Sequence, residues 1–230
     1  MRYDYILMDF DDTIWSRDKK DIETSIENVK LVNKLADKII IISGNSRSSI
    51  QTELVDNNLK LNCDVWCDVN TTCYNNFNFK DSLYDLNIME SGLKIMEYLR
   101  SENINFLAVG YNSIYNIKIR PVEDRDTLIS SLNSKFKELG INDCTAIKAG
   151  KTTVDIIHIY NSKSKVYNHL DLDRYNTLYI GDEIEDGNDM DVAKLCSNYI
   201  SVNSVEETNR VLKEMIENDL RTDILSRESD

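Results

Sequence analysis

The chain has 230 residues, of which 41% are hydrophobic and 29% charged, so it is long enough for a core domain and a second, smaller domain. Its formal net charge of −13 argues against nucleic-acid binding and requires local cations wherever a phosphate ester binds. No apolar run reaches the ~20 residues that span a bilayer. Acidic residues directly follow the first apolar run, which is not the pattern of a signal peptide, so we expect a cytoplasmic protein.

The two ends of the sequence alternate short apolar runs with amphipathic stretches. Residues 4–9, 38–43 and 65–69 are apolar runs typical of buried strands, and the first two enclose a stretch with helical spacing of apolar residues. Strands and helices alternate again near the C-terminus, with a helix at 165–170, a strand at 177–181, a helix at 188–196, a strand at 198–202 and a helix at 205–218. This alternation predicts an α/β fold with a Rossmann-like parallel sheet.

The middle of the chain has a different pattern, in which a helix and two strands occur twice in succession. The predicted elements are a helix at 90–101, strands at 104–110 and 114–120, a helix at 124–139, and strands at 142–148 and 153–160. Such an order is typical of a small α+β layer rather than a parallel sheet. We therefore predict a small domain at 79–160, inserted into a core formed by 1–78 and 161–230.

The sharpest motif is the run ILMDFDDTIW, in which an apolar strand leads directly into Asp9 and Asp11. In a parallel sheet, ligands gather beyond the carboxyl ends of the strands, where these acids fall. Phosphoryl transfer through an aspartyl-phosphate needs a carboxylate nucleophile and a second carboxyl that donates and then accepts a proton. Paired acids suit both roles when their surroundings separate their pKa values. The alternative interpretation is a strand-end turn with solvated acids.

Three further polar groups occur at the predicted rim of the sheet. The first group is suited to bind phosphate oxygens, and the second to neutralise negative charge that develops on a transferring group. The third group is suited to bind a magnesium ion. They are Ser43, Gly44, Asn45 and Arg47; Lys163 and Lys165; and Asp182, Asp186, Asn188 and Asp189. Each group alone also fits a turn, a solvated lysine or an acidic loop. Four groups in order at one rim favour a catalytic site.

These motifs resemble those of the haloacid dehalogenase (HAD) superfamily. DFDDT resembles the first motif, ISGN the second, the lysine the third and GDEIEDGND the fourth, over residues 1–75 and 161–230. The resemblance implies a phosphatase that uses Mg²⁺. It further implies that Asp9 is the nucleophile and a magnesium ligand, and that Asp11 is the general acid/base whose backbone carbonyl also binds the metal.

The other three motifs carry over in the same way. The resemblance implies that Ser43 hydrogen-bonds the phosphoryl group, with Gly44, Asn45 and Arg47 as further substrate-binding residues. It implies Lys163 as the cation of the third motif, with Lys165 as the fallback. In the fourth motif it implies metal ligation by Asp182 and Asp186, while Asn188–Asp189 resembles the longer loop of phosphomannomutases and stays an alternative to Asp186.

The inserted segment lies where one branch of this superfamily has an α/β cap. That branch includes Cof-type sugar phosphatases, sucrose and trehalose phosphate phosphatases, and phosphomannomutase. The resemblance implies that Arg120, beside Pro121, binds a distal anion of the substrate; the alternative is a surface charge on an edge strand. CDVWCDVNTT resembles the strand before an Asn-Gly pair of the sugar phosphatases, with Asn70 matched and Thr71 in place of the glycine.

The expected function is therefore magnesium-dependent hydrolysis of a small phosphorylated metabolite, a sugar phosphate or phosphoglycolate-like monoester. A phosphomannomutase-like phosphomutase is the alternative, because it forms the same intermediate and returns the phosphoryl group to a sugar. A non-enzymatic receiver domain also gathers acids, a hydroxyl and a lysine at a sheet rim. Its phosphorylated aspartate, however, lies on a later strand than its acid pair, and it has no inserted domain.

Overall fold

The computed structural model of the chain describes residues 3–17, 20–110, 112–149, 152–182, 184–185 and 188–227, the last nine as backbone only. It contains two compact units, Met1–Lys80 with Ser162–Asp230 and Asp81–Asn161. The predicted domain boundaries lie within two residues of these limits. No helix in the described ranges is long and apolar enough to cross a membrane.

The predicted strands and helices occur in the predicted order along the chain, together with three elements that were not predicted. The strands are β1 (Tyr5–Met8), β2 (Ile39–Ile42), β3 (Asp64–Cys67), β4 (Thr72–Asn75), β5 (Asn78–Ser82), β6 (Leu107–Val109), β7 (Asn116–Ile119), β8 (Cys144–Ala149), β9 (Thr153–His158), β10 (Thr177–Gly181) and β11 (Asn198–Ser201). The helices are α1 (Ile22–Lys34), α2 (Arg47–Asp56), α3 (Met89–Ser101), α4 (Arg125–Glu138), α5 (Lys163–His169), α6 (Met190–Ala193) and α7 (Val205–Arg227).

The first unit contains a seven-stranded sheet in the order β11-β10-β1-β2-β3-β4-β5. β1 pairs in parallel with both β10 and β2, β2 with β3, and β10 with β11. The predicted α/β fold with a parallel sheet is thus confirmed. Since the carboxyl ends of β1, β2 and β10 lie side by side, the polar residues after them share one edge of the sheet.

Burial explains why the central strands are continuous apolar runs. Every residue of β2, Ile39–Ile42, is buried, and in β1 both Leu7 and its neighbours are buried, so both faces of these strands are covered. On one face Met8 and Ile41 belong to a core that also includes Val32 of α1 and Leu212 of α7. This packing fixes the strand ends that present the polar motifs.

The second unit is an antiparallel sheet, β6-β7-β9-β8, packed against two helices. Its core joins Ile95 and Leu99 of α3, Phe136 of α4, and Ile117 and Ile156 of the sheet. Because side chains alternate along a strand, the neighbouring polar residues of β7 and β9 lie on the other face. The predicted helix-strand-strand repeat corresponds to α3-β6-β7 and α4-β8-β9.

Four elements differ from the sequence-based expectation. β4 and β5 extend the core sheet, with β4 antiparallel to β3, although the polar stretch around residues 70–80 predicted no strand. α2 buries Ile50 and Leu54 and begins where the Ser46 side chain accepts a hydrogen bond from the Ser49 N–H, but its apolar pattern is too weak to predict it. α7 continues to Arg227, beyond the predicted end at 218.

Candidate active site

Asp9 lies at the carboxyl end of β1, in the centre of the parallel sheet. Its N–H donates to the carbonyl of Ile180 on β10 at 3.0 Å, so the ladder between the two strands continues up to this residue. The side chain is buried, with 4% of the residue exposed. Asp9 is therefore held by sheet pairing on a rigid strand, as a precisely placed nucleophile requires.

The chain turns immediately after Asp9 and brings Asp11 back to the same edge. The N–H groups of Ile14 and Trp15 both donate to the carbonyl of Phe10 at 2.9 Å and close the turn. Asp12 adopts a left-handed backbone conformation with φ of 55°, which aspartate tolerates better than most residues. Phe10, Ile14 and Trp15 are buried in the core, and this apolar anchoring leaves Asp11 at the rim.

Lys163, the first residue of α5, joins Asp9 to the fourth motif. Its Nζ lies 2.6 Å from Asp9 Oδ1 and 2.5 Å from Asp189 Oδ1, and the residue is 3% exposed. The structure thus brings Lys163 rather than the fallback Lys165 to Asp9, the predicted nucleophile. A buried ammonium between two carboxylates neutralises part of the local charge and fixes both carboxylate oxygens.

Three carboxylates converge where a metal ion is expected. One ligand oxygen from each of Asp9, Asp182 and Asp189 lies within 4.8 Å of the other two. Oxygen ligands at about 2.1 Å from one Mg²⁺ are about 3 to 4 Å apart, so these residues fit a magnesium ion after a small contraction. Thr13 Oγ1 donates to Asp182 Oδ1 at 3.5 Å and ties the first-motif turn to this group. Asp186, the other predicted ligand, lies outside the described residues.

Asp189 occupies a site shaped for it at the end of β10. Its residue is fully buried, and Tyr179 Oη donates to its Oδ1 at 2.6 Å. A Cβ built on Gly181 would lie 2.2 Å from Asp189 Oδ2, so the carboxylate fits only because residue 181 is glycine. Among the alternatives left open by the sequence, the structure therefore brings Asp189 into the acidic cluster.

The second-motif residues meet Asp11 rather than Asp9. Asn45 Nδ2 donates to Asp11 Oδ1 at 2.8 Å, and Ser43 Oγ donates to Asp11 Oδ2 at 3.4 Å. The Asn45 N–H also donates to Ser43 Oγ at 3.0 Å, so the two side chains form one unit. Gly44 lies between them, and a Cβ added there would have no heavy atom within 4 Å. These contacts orient the carboxyl predicted to act as general acid and base.

The second-motif loop is fastened by a left-handed turn after β3. Asp68, Val69 and Asn70 have φ values of 52°, 61° and 63°, a conformation that aspartate and asparagine tolerate but that is unfavourable for the β-branched Val69. Within this turn, the Asp68 N–H donates to Asn45 O at 2.7 Å and the Asn70 N–H donates to Ser43 O at 3.2 Å. The strained turn therefore sets the position of the loop that holds Asp11.

Arg47, which was predicted to bind substrate, contacts Tyr74 and Asp68. Its guanidinium lies over the Tyr74 ring, 4.9 Å from the centroid, and its backbone N–H donates to Asp68 Oδ1 at 3.0 Å. These contacts make Arg47 part of the support of the loop.

Arg120, the other predicted substrate-binding arginine, is an exposed residue of the second unit. Burial raises the pKa of Asp155 in the same unit, and the charge of Arg120 is one of the effects that oppose this increase.

Arg17 is a site residue that the sequence motifs do not indicate. Its Nε lies 3.8 Å from Asp11 Oδ1 and 3.5 Å from Asp12 Oδ2, and its side chain is 45% exposed. It is a half-exposed cation at the edge of the acidic group, where the net charge of the chain requires one for an anionic ligand. Its closeness to Asp11 along the chain is the one signal that could have indicated it.

The electrostatics of the cluster favour a bound cation. Burial raises the pKa of the Asp9 carboxyl to about 8. The charge of Lys163 opposes this increase, whereas the charges of Asp189 and Asp11 add to it. Burial and the adjacent Asp189 carboxylate raise the pKa of Tyr179, so that its hydroxyl stays protonated and donates. A divalent cation among these carboxylates would favour their ionised forms, including that of Asp9.

Solved structures with the same fold identify the architecture. A HAD-like hydrolase from Bacteroides thetaiotaomicron aligns with a TM-score of 0.65 at 13% identity, over 93% of this chain and 100% of that one. A trehalose-6-phosphate phosphatase related protein aligns with a TM-score of 0.64 at 14% identity, over 95% and 99%. A candidate HAD/COF-like hydrolase from Plasmodium vivax aligns with a TM-score of 0.64 at 17% identity, over 94% and 96%.

No protein-family model and no curated protein sequence matches the chain. At identities this low, the structural likeness concerns the fold, and function depends on the residues of the site. The chain has the fold of HAD-like hydrolases, as the motifs predicted.

Proposed function

We propose that the chain is a magnesium-dependent phosphatase that hydrolyses a small phosphate monoester through an aspartyl-phosphate on Asp9. The observation that carries the proposal is the contact of Lys163 with both Asp9 and Asp189, inside a cluster completed by Asp182. An acidic cluster alone is common, but a buried lysine bound to its central carboxylate also places a cation where it can stabilise charge on a transferring phosphoryl group. The fold shared with a trehalose-6-phosphate phosphatase related protein supports the same reaction class.

In the first half-reaction, one carboxylate oxygen of Asp9 attacks phosphorus from the side opposite the ester oxygen. The bond between phosphorus and the ester oxygen breaks as the bond to Asp9 forms. Asp11 gives its proton to the departing alcohol, while Lys163 balances negative charge next to the phosphoryl group. Asp9, Asp182 and Asp189 would hold a magnesium ion, which supplies positive charge to the transferring phosphoryl oxygens when it is bound.

In the second half-reaction, water attacks the aspartyl-phosphate on Asp9. Asp11, now ionised, takes a proton from the water, and the bond between the Asp9 oxygen and phosphorus breaks to release inorganic phosphate. Asn45 and Ser43 bind the two oxygens of the Asp11 carboxyl, which suits a group that must donate and accept a proton without moving away. The charge of Arg17 attracts the anionic substrate to this acidic rim.

A phosphomannomutase-like reaction is the second candidate. The presence of Asp189 in the cluster favours it, because Asn188–Asp189 is the part of the fourth motif that resembles the longer loop of phosphomannomutases. Both reactions proceed through the same intermediate, in which Asp9 is phosphorylated. Release of inorganic phosphate from a hexose monophosphate indicates the phosphatase, whereas transfer of the phosphoryl group between two positions of the sugar indicates the mutase.

The test is a screen of phosphate monoesters, including hexose phosphates, phosphoglycolate and nucleoside monophosphates, in the presence of Mg²⁺. We expect phosphate release by the wild-type chain and its loss, by at least about 1000-fold, in Asp9→Asn. The matched control is Asp171→Asn, which makes the same substitution at an exposed aspartate of the first unit. Phosphate release from none of the esters, or equal activity of Asp9→Asn and wild type, would overturn the proposal.

A further inference from the structure

Tyr179 lies in β10, two residues before the glycine that ends the strand. Its ring is fully buried, and its hydroxyl donates to Asp189 Oδ1 at 2.6 Å. The same Asp189 oxygen accepts a hydrogen bond from Lys163 Nζ at 2.5 Å. One carboxylate oxygen thus has a neutral donor on the strand and a charged donor on α5.

The alternation of side chains along β10 explains how a tyrosine reaches the cluster. Leu178 and Ile180 point into the apolar core, so Tyr179 and Gly181 share the opposite face. A Cβ on Gly181 would lie 2.2 Å from Asp189 Oδ2 and 2.9 Å from Tyr179 Cε1. The strand therefore provides both the space for the Asp189 carboxylate and a hydrogen bond that fixes it.

The two donors to Asp189 differ in what else they must do. Lys163 also binds Asp9, and its charge is required there when negative charge gathers at the phosphoryl group. The Tyr179 hydroxyl is held by a ring packed in the sheet. A buried carboxylate needs hydrogen-bond partners at all times, since an unsatisfied buried charge is strongly unfavourable.

We propose that Tyr179 is a positioning residue that holds the Asp189 carboxylate in place for magnesium, independently of Lys163. The magnesium part of this inference rests on the proposed function, whereas the anchoring of Asp189 concerns the chain by itself. The support for both parts is the hydrogen bond between the two side chains, their burial and the space left by Gly181.

The test compares Tyr179→Phe with the wild type in two measurements on the full chain. In chelator-treated protein, amide hydrogen exchange is measured over residues 188–193, where the Ala193 N–H donates to Asp189 O at 3.0 Å. Titration calorimetry with MgCl₂ then measures the dissociation constant for Mg²⁺. The matched control is Tyr199→Phe, because Tyr199 pairs with Tyr179 on the adjacent strand but is 57% exposed.

We expect faster exchange over 188–193 in Tyr179→Phe and a Mg²⁺ dissociation constant about 10-fold higher, as is typical when a partner of a metal ligand is removed. Tyr199→Phe should match the wild type in both. Because the effect acts through Asp189, adding Tyr179→Phe to Asp189→Asn should weaken Mg²⁺ binding no further. The same comparison within Asp189→Asn also separates anchoring from general damage to the fold.

Unchanged exchange over 188–193 together with a dissociation constant within twofold of wild type would overturn the inference. So would an equal effect of Tyr179→Phe in the wild-type and Asp189→Asn backgrounds. If the wild type binds no Mg²⁺, the proposed function fails; the exchange measurement then decides the anchoring of Asp189 alone, with faster exchange supporting it and unchanged exchange refuting it.

Discussion

Lys163 Nζ lies 2.6 Å from Asp9 Oδ1, although 154 positions separate the two residues in the sequence. Their side chains are 2% and 6% exposed. A buried ion pair contributes little net stability, because desolvation of the two charges offsets most of their attraction. Such a pair is better explained by function than by folding, and here it places a cation beside the proposed nucleophile.

Removal of the cation should be strongly destabilising. In Lys163→Met, the carboxylates of Asp9 and Asp189 lose their buried partner, so the free energy of unfolding should fall by about 3–5 kcal/mol. Mg²⁺ should restore part of this loss, because an ion that binds only the folded chain stabilises it. Urea unfolding with and without MgCl₂ measures both effects. Lys165→Met is the control, and an equal loss in the two variants would contradict the assignment of Lys163.

Asp11→Asn should separate catalysis from metal binding. The Asp11 side chain is outside the group of Asp9, Asp182 and Asp189, whose oxygens converge in the described residues. Turnover should therefore fall by about 10²–10⁴-fold, as expected for a general acid/base, while the Mg²⁺ dissociation constant changes little. Steady-state kinetics and titration calorimetry measure the two quantities. A full loss of Mg²⁺ binding would refute the proposed role of Asp11.

Arg17→Gln should impair substrate binding more than turnover. Arg17 is half exposed beside Asp11 and Asp12, and solvent screens its charge, so we expect an increase in KM of about 3- to 10-fold with a smaller change in kcat. The difference from wild type should shrink as ionic strength rises. Arg210→Gln removes the same charge from an exposed position of α7 and serves as the control. Equal KM values in all three proteins would exclude a role in substrate attraction.

Asp155→Asn should reduce the pH dependence of stability. Burial raises the pKa of Asp155 in the folded chain, despite the opposing effects of Lys118, Asn116 and Arg120. As pH rises above the ordinary carboxyl value of 3.8, the unfolded chain loses this proton first, so the free energy of unfolding falls until the folded-state pKa is passed. Asparagine has no proton to lose, so urea unfolding from about pH 4 to about pH 8 should show a shallower fall. An unchanged or steeper fall would contradict the raised pKa.

Much of the fold could be predicted because its central strands are encoded locally. The isoleucines of β2 are buried on both faces, and such runs are recognisable without knowledge of what covers them. β4 and β5 could not be predicted in this way, because β4 depends on its pairing with β3 across the left-handed turn at 68–70. Asp68 and Asn70 are typical turn residues, but they do not specify which strands pair on either side of the turn.

The site could be predicted in part, because residues after the strands of one parallel sheet must meet at one edge. Asp9, Asp11 and Ser43 share their location for this reason, whereas Lys163 begins helix α5, which precedes β10. The direction of each side chain depends on packing, which the order of strands does not determine. Arg47 is close to the motif in sequence, yet its guanidinium lies over Tyr74, whereas Tyr179 resembles an ordinary strand residue and reaches Asp189.

The central claim is that Asp9 itself carries the phosphoryl group during turnover, and trapping that group tests it most directly. The wild type and Asp11→Asn are each mixed with Mg²⁺ and an ester that the wild type hydrolyses, and the reaction is quenched with acid. Borohydride then reduces an acyl phosphate to a stable alcohol, and mass spectrometry identifies the modified residue. We predict modification at Asp9 in both proteins, because Asp11 assists the formation and the hydrolysis of the intermediate but does not carry the phosphoryl group. Modification at another residue would contradict this claim. So would the absence of modification at Asp9 in a protein that is shown to be phosphorylated during turnover.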